Sequence, residues 1–176
     1  QYGLEEYYND VLNGTTGREY GYLNDDSTLE RTIKPAVDGY TIHSTIDVNV
    51  QSIVEKYLKQ FNDEHKDAVH PGNGAENVGC IIMEVNTGNV LAMASYPTFD
   101  LNDTRNTDAL LGSRLIEQVT NAAGYQVNQK TDTYITQETI DGLGEDQLLL
   151  NLNNLWKNYC ISNTYEPGST AKPFTV

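Results

Sequence analysis

The sequence predicts an α+β fold on three observations: a strand-like alternation over residues 40–46, two apolar runs joined by a tight turn over 78–96, and helical stripes beginning near Asp47 and Glu145. Strands joined by a short turn pair antiparallel, and helical stripes of this width need a sheet or another helix to cover them. The chain has 176 residues, 38% of them apolar and 20% charged. That is enough to bury a core, and it excludes collagen-like, coiled-coil and low-complexity classes.

Leu4, Tyr7, Tyr8, Val11 and Leu12 recur at i, i+3, i+4, i+7 and i+8, which predicts a short amphipathic helix from Gly3 to Leu12, ended by Gly14. TTGREYGYLNDD reads as a turn and a short polar strand, and DDSTLERTIKPAVDG as a linker with Pro35 and a charge cluster. The main domain boundary is expected near Asp38, dividing the chain into 1–38 and 39–176. In YTIHSTID, Tyr40, Ile42, Ser44 and Ile46 alternate with Thr41, His43 and Thr45, the period of a strand with one better-buried face. Asp47 then suits the N-cap of a helix of about 15 residues whose stripe is Val50, Ile53, Val54, Tyr57, Leu58 and Phe61.

VGCIIMEV and VLAMASY flank Asn86-Thr87-Gly88-Asn89, a hairpin turn with glycine where a positive φ is needed. The near-continuous apolar character of both runs places them in the middle of a covered sheet, shared with residues 40–46 and packed against the helix after Asp47. Across 97–141 Thr, Asn, Asp and Gln dominate, and only LLGSRLIEQV carries a helical pattern. Leu148, Leu149, Leu150, Leu152, Leu155 and Trp156 predict a second helix from Glu145 to Trp156, with Glu145 and Asp146 as favourable first-turn charge. The last segment turns through Pro167-Gly168 into a helix start.

Eleven basic residues against 25 acidic ones give a net charge of −14, so a phosphate backbone is repelled and nucleic acid is not an expected partner. Cys80, Cys160, His43, His65 and His70 lack the ligand spacing of a metal site. Cys80 reads as a core-packed thiol, with a disulfide left open. Asp63, Glu64, His65, Asp67 and His70 read as a solvated helix end rather than a cation site. Tyr2, Tyr7, Tyr8, Tyr20 and Tyr22 read as half-buried packing rather than an interaction patch. No stretch approaches the ~18–20 consecutive apolar residues that cross a bilayer, and the first residues lack the regions of a signal peptide. The chain as given is expected to be soluble.

The arrangement that carries chemistry is Ser169-Thr170-Ala171-Lys172. Residues three apart share a helix face, so the Ser169 hydroxyl and Lys172 amine become a nucleophile and an adjacent base. First-turn N–H groups would favour the oxyanion formed when a carbonyl is attacked. A lysine acting as base must first lose its proton, which costs about 4.6 kcal/mol at pH 7 from a reference pKa near 10.4, so the rest of the site must supply a suitable environment. The tetrapeptide alone also fits a helix start in which Ser169 caps and Lys172 is solvated. The preceding Pro-Gly favours the functional reading, because a sharp entry lifts the hydroxyl toward a cleft.

TYEPGSTAKPF resembles the nucleophile segment of the class B penicillin-binding proteins, the D,D-transpeptidases that cross-link peptidoglycan. DGYTIHSTIDVNVQ resembles the opening strand and helix of their transpeptidase domain, CIIMEVNTGNVLAMASYPTFDLND its first hairpin and loop, and NLWKNYCISNTYEPGST the approach to the nucleophile. GLEEYYNDVLNGTTG resembles the end of the family's N-terminal pedestal domain. Together these cover about half of the chain, in order. The resemblance implies an incomplete penicillin-binding protein/β-lactamase-like transpeptidase domain over 39–176, an antiparallel sheet with helices, preceded at 1–38 by the tail of a pedestal domain.

By that resemblance Ser169 is the acylated nucleophile, with its backbone N–H in the oxyanion hole, and Lys172 is the general base. The implied partners are D-Ala-D-Ala stem peptides and β-lactams, with further cell-wall synthesis proteins; no cofactor or metal is implied. The parent is expected to be extracytoplasmic and anchored in the membrane by a segment outside this sequence. The family's Ser-x-Asn and Lys-Thr-Gly motifs belong downstream of Lys172, where this sequence has four residues, so the chain by itself is expected to be inactive. Ser162-Asn163-Thr164 and Lys130-Thr131-Asp132 lie upstream and receive no role. Alternatives are a non-catalytic scaffold module of cell-wall synthesis, or a relative of β-lactam sensors and class D β-lactamases.

Overall fold

In the computed structural model, residues 3–23, 25–26 and 29–174 are described. The chain divides into two compact units, 1–44 and 45–176.

In the first unit the expected helix is two single turns, α1 (Leu4–Tyr7) and α2 (Asn9–Leu12), broken at Tyr8. β1 (Arg18–Leu23) pairs antiparallel with β2 (Leu29–Lys34), in register from Arg18↔Lys34 to Leu23↔Leu29. The segment read as a linker is therefore half strand; charge obscured it because β2 is exposed at every position. A bridge between Thr15 and Val37 extends the ladder, and Tyr40 N–H donates to the Val11 carbonyl at 2.9 Å. Cross-strand polar contacts replace a core: Tyr22 hydroxyl donates to Glu30 at 2.6 Å, and Arg31 pairs with Glu19 at 3.1 Å. The tyrosines expected to be half-buried divide: Tyr8 is 36% exposed and Tyr20 and Tyr22 about half, as expected, whereas Tyr7 is 81% exposed; Tyr2 lies outside the described residues. Two short turns and a hairpin have no third layer within this unit to bury them.

The second unit opens on α3 (Val48–His65), with Asp47 Oδ1 accepting from Asn49 and Val50 N–H at 2.8 and 3.1 Å. Val54 and Leu58 pack on β4, where Ala92 and Ala94 allow close approach; Val50, Val78, Cys80, Ile82 and Tyr96 complete this core. β3 (Val78–Met83) and β4 (Val90–Tyr96) form the expected antiparallel hairpin, with Gly88 at φ 76°.

Residues 40–46 are not a strand of this sheet. Hydrogen bonds approach β4 from that direction without forming a ladder, among them Thr45 Oγ1 to the Val90 carbonyl at 2.7 Å and Asp47 N–H to the Leu91 carbonyl at 2.9 Å. β-Branched alternation signals an extended chain, but a strand also needs a ladder. The Gln51 amide takes the next edge position, accepting from Met93 N–H at 2.9 Å and donating to the Met93 carbonyl at 3.1 Å. The hairpin is thus a two-stranded sheet of its own rather than the middle of a larger one. One face packs on α3, while Ile81 and Met83 on the other are exposed.

A second hairpin, β5 (Arg114–Thr120) with β6 (Gln126–Tyr134), replaces the helix expected over LLGSRLIEQV. Gly112 at φ 77° separates Leu110-Leu111 from Leu115-Ile116 and interrupts any helix there. The partner strand QVNQKTDTY has no apolar face to announce it. α4 (Gln137–Gly142) follows, and then α5 (Glu145–Leu155), the second expected helix. Leu110, Leu115, Ile135, Ile140 and Leu152 form the core of this half, with Leu148, Leu155 and Trp156 against it.

Candidate active site

The segment carrying Ser169 begins where α5 ends. Trp156 Nε1 donates to the Thr104 carbonyl at 3.1 Å and ties that end to the loop after β4. A single turn, α6 (Tyr159–Ser162), follows, capped by Asn158 Oδ1 accepting from Cys160 N–H at 3.0 Å. The chain then runs without regular structure to Pro167. Gly168 takes φ 58°, and the Pro167 carbonyl accepts from Thr170 N–H at 3.3 Å and from Thr170 Oγ1 at 2.5 Å. The turn so closed feeds a 3-10 helix, Gly168–Phe174.

The sequence suggested an α-helical start; the observed winding is tighter. Pro173 has no N–H to offer the Ser169 carbonyl, so an α-type bond between them is unavailable. The 3-10 winding stacks positions i and i+3, which places Ser169 and Lys172 on one face. Both are exposed, whereas Ala171 between them is half-buried. This juxtaposition suits acyl transfer: a hydroxyl nucleophile with an amine one turn away, reached through a glycine turn.

The other candidate groups have local roles. Asp63 accepts from Lys59 Nζ at 2.5 Å, and this ion-paired hydrogen bond holds its carboxyl below the usual carboxylate range. Glu64 accepts from Gln60 Nε2 at 2.7 Å, and His65 stacks on Phe61 with centroids 4.3 Å apart. Asp67 Oδ1 accepts from Gly72 N–H at 2.6 Å, and His70 stacks on Tyr134 at 4.7 Å. Among the described residues no group of three or more His, Cys, Asp or Glu is placed to hold a metal ion. Lys130 and Arg114 both pair with Glu76 at 2.7 Å. Those hydrogen bonds, Lys130 first and Arg114 second, hold the Glu76 carboxyl below its ordinary value. Cys80 and Cys160 are free thiols, and burial pushes the Cys160 thiol up. Sequence reasoning passed over the residues that seat α6, namely Gly79, Asn158 and Cys160. The one available signal was Asn158, an N-cap type directly before the apolar YCIS.

Residues 78–176 match the family model described as the penicillin binding protein transpeptidase domain. The peptidoglycan D,D-transpeptidase MrdA of Haemophilus influenzae is 35% identical over 102 residues, 57% of this chain and 13% of that protein. MrdA of Escherichia coli K12 is 30% identical over 102 residues, 57% of this chain and 14% of that protein. The penicillin-binding protein PbpB of Mycolicibacterium smegmatis is 34% identical over 102 residues, 56% of this chain and 14% of that protein. Among solved structures, penicillin binding protein 2X from Streptococcus thermophilus matches with TM-score 0.45 and 27% identity, covering 66% of this chain and 17% of that one. The aligned part of this chain thus spans about one seventh of the length of these curated relatives. Since the family model matches more than half of its residues, Ser169 and Lys172 included, the chain belongs to the penicillin-binding protein transpeptidase domain family.

Proposed function

We propose that this chain is the nucleophile-bearing part of a serine D,D-transpeptidase that cross-links peptidoglycan stem peptides. The observation that supports this most is the placement of Ser169 and Lys172 one 3-10 turn apart, behind the Gly168 turn, inside the matched stretch. Ser169 Oγ attacks the carbonyl between the two terminal D-Ala residues while the Lys172 amine accepts its proton. The amide bond breaks, the terminal D-Ala leaves carrying a proton, and an acyl-enzyme ester remains. An amine of a neighbouring strand then attacks the ester and regenerates the Ser169 hydroxyl. β-Lactams acylate the same hydroxyl by opening their ring. The Ser169 N–H forms part of the oxyanion hole. On this reading residues 1–38 end a pedestal domain, 39–176 begin the transpeptidase domain, and the parent works outside the cytoplasm on a membrane anchor.

The test is covalent labelling of the full-length protein by a fluorescent penicillin. Ser169→Ala abolishes the label, and Lys172→Ala slows it by about 10²-fold or more with the fold intact. Unchanged labelling in either variant overturns the assignment. Residues 1–176 alone give no adduct by intact mass, because Ser-x-Asn and Lys-Thr-Gly supply the remaining donors, and losing even one oxyanion donor costs about 10²- to 10³-fold. A stoichiometric adduct on the 176-residue chain refutes that dependence.

A further inference from the structure

α6 joins the nucleophile segment to the first hairpin, packing on both β3 and β4. The Cys160 thiol donates to the Ala94 carbonyl at 3.4 Å and lies 4.0 Å from the Cys80 carbonyl. Asn158, besides capping the turn, sets its Nδ2 3.2 Å from Met93 Sδ. This approach depends on the bare backbone at Gly79. A Cβ there would stand 2.9 Å from Cys160 Sγ and 3.0 Å from Tyr159 Cδ1, inside van der Waals contact. Gly79 is not among the positive-φ glycines, so what the position requires is space rather than an unusual conformation. Glycine inside a strand is destabilising relative to alanine, and close approach of another segment is a standard reason for one. The groove beside this contact is lined by Gly79, Ile81, Tyr159, Cys160 and Tyr165, which brings the chain along β3 to within four residues of Ser169.

We propose that Gly79 is a positioning residue for the nucleophile: it is the seat on which Cys160 locks α6, and that seat sets where the chain delivers Ser169. The proposal rests on the assignment of Ser169 above. A side chain at 79 forces Cys160 to give up the Ala94 carbonyl or lifts α6 off the strand. Either change displaces the hydroxyl from its attack geometry, where misplacement by ~1 Å can cost about 10²-fold.

Two measurements on Gly79→Ala, Cys160→Ala and the double variant test it. In the full-length protein, Gly79→Ala lowers the rate constant of acylation by a labelled penicillin about 10-fold or more, while the constant for the preceding non-covalent binding changes less than about 2-fold. Cys160→Ala in that background makes room for the new methyl and returns the rate to within about 3-fold of Cys160→Ala alone. Cys160→Leu, which crowds the seat from the α6 side and leaves the strand untouched, reproduces the loss. In the 176-residue chain, amide exchange at 159–162 accelerates in Gly79→Ala and slows in the double variant to the level of Cys160→Ala alone, while protection in α3 stays as in the wild type. Wild-type acylation in Gly79→Ala, or a double variant as slow as the single one, overturns the positioning role. Unchanged exchange at 159–162 overturns the seat itself. A wild-type protein without a Ser169 adduct sinks the nucleophile assignment instead, and the exchange cycle then decides the seat by itself.

Discussion

Asn151 is 3% exposed, yet its amide is fully used. Oδ1 accepts from Ile116 N–H at 2.9 Å, while Nδ2 donates to the carbonyls of Ile116 at 3.1 Å and Gln147 at 2.9 Å. It stands in for a strand partner beside the register shift between Arg114 and Ile116. Asn151→Ala orphans a buried N–H and weakens two carbonyl contacts. We expect a loss of about 2–3 kcal/mol in urea unfolding, against less than 1 kcal/mol for a solvent-side substitution such as Glu117→Gln. Glu76 carries a pH dependence. Its folded-state pKa lies below its unfolded value because Lys130 and Arg114 bind the carboxylate. The contribution is therefore fully present above the ordinary glutamate pKa and is lost as pH falls through the depressed folded value. Glu76 is more than a third exposed, so solvent screening limits Glu76→Gln to about 1 kcal/mol at neutral pH. The variant should converge with the wild type in acid; equal separation at both ends of the titration would refute the linkage.

At the scale of elements, α3 and the first hairpin stabilise each other through a narrow contact. Val54 and Leu58 face Ala92, which is fully buried, and Ala94. Leu58→Ala should cost about 2–3 kcal/mol, and Ala92→Leu at least as much because the helix is forced away from the strand. Thermal unfolding followed by α-helical circular dichroism reads both; a wild-type midpoint in Ala92→Leu would refute the close contact between α3 and β4. Ile53 at 55% exposure and Tyr57 at 60% belong to the same sequence stripe but lie outside this contact. A periodic stripe reports which residues share a face of a helix; the width of the partner decides how many are covered. The short side chains of β4 admit only the Val50, Val54, Leu58 line.

For the whole molecule, the two units differ in kind. None of the described residues of 1–44 is buried, whereas the second unit holds two apolar cores. Burial resists local opening, so brief proteolysis should cut within 3–44 before it cuts within 48–156. Mass spectrometry of the first fragments checks this, and early cleavage inside α3 or α5 would contradict it. The first unit holds its shape through the β1–β2 ladder and exposed polar pairs, each worth a few tenths to about 1 kcal/mol.

Where local chemistry and periodicity coincide, the sequence was sufficient. Asp47 as a cap, the Val50–Val54–Leu58 line, the turn at Gly88, the apolar strands around it, and the α5 stripe are each determined within a few residues, by hydrogen-bonding groups or by side-chain period. The turn at Gly168 and the placement of Ser169 and Lys172 on one face after it were legible for the same reason. Partners distant in sequence were not legible. β2 and β6 lack an apolar face and exist because β1 and β5 pair with them, and residues 40–46 have strand composition but no ladder. The seat of α6 joins Gly79 to Cys160 across 80 residues of chain; Asn158 signals the turn itself, but nothing near either residue announces their contact. Period and capping are properties of adjacent residues, whereas pairing, close approach and coverage are properties of whichever segments meet, which only the tertiary structure decides.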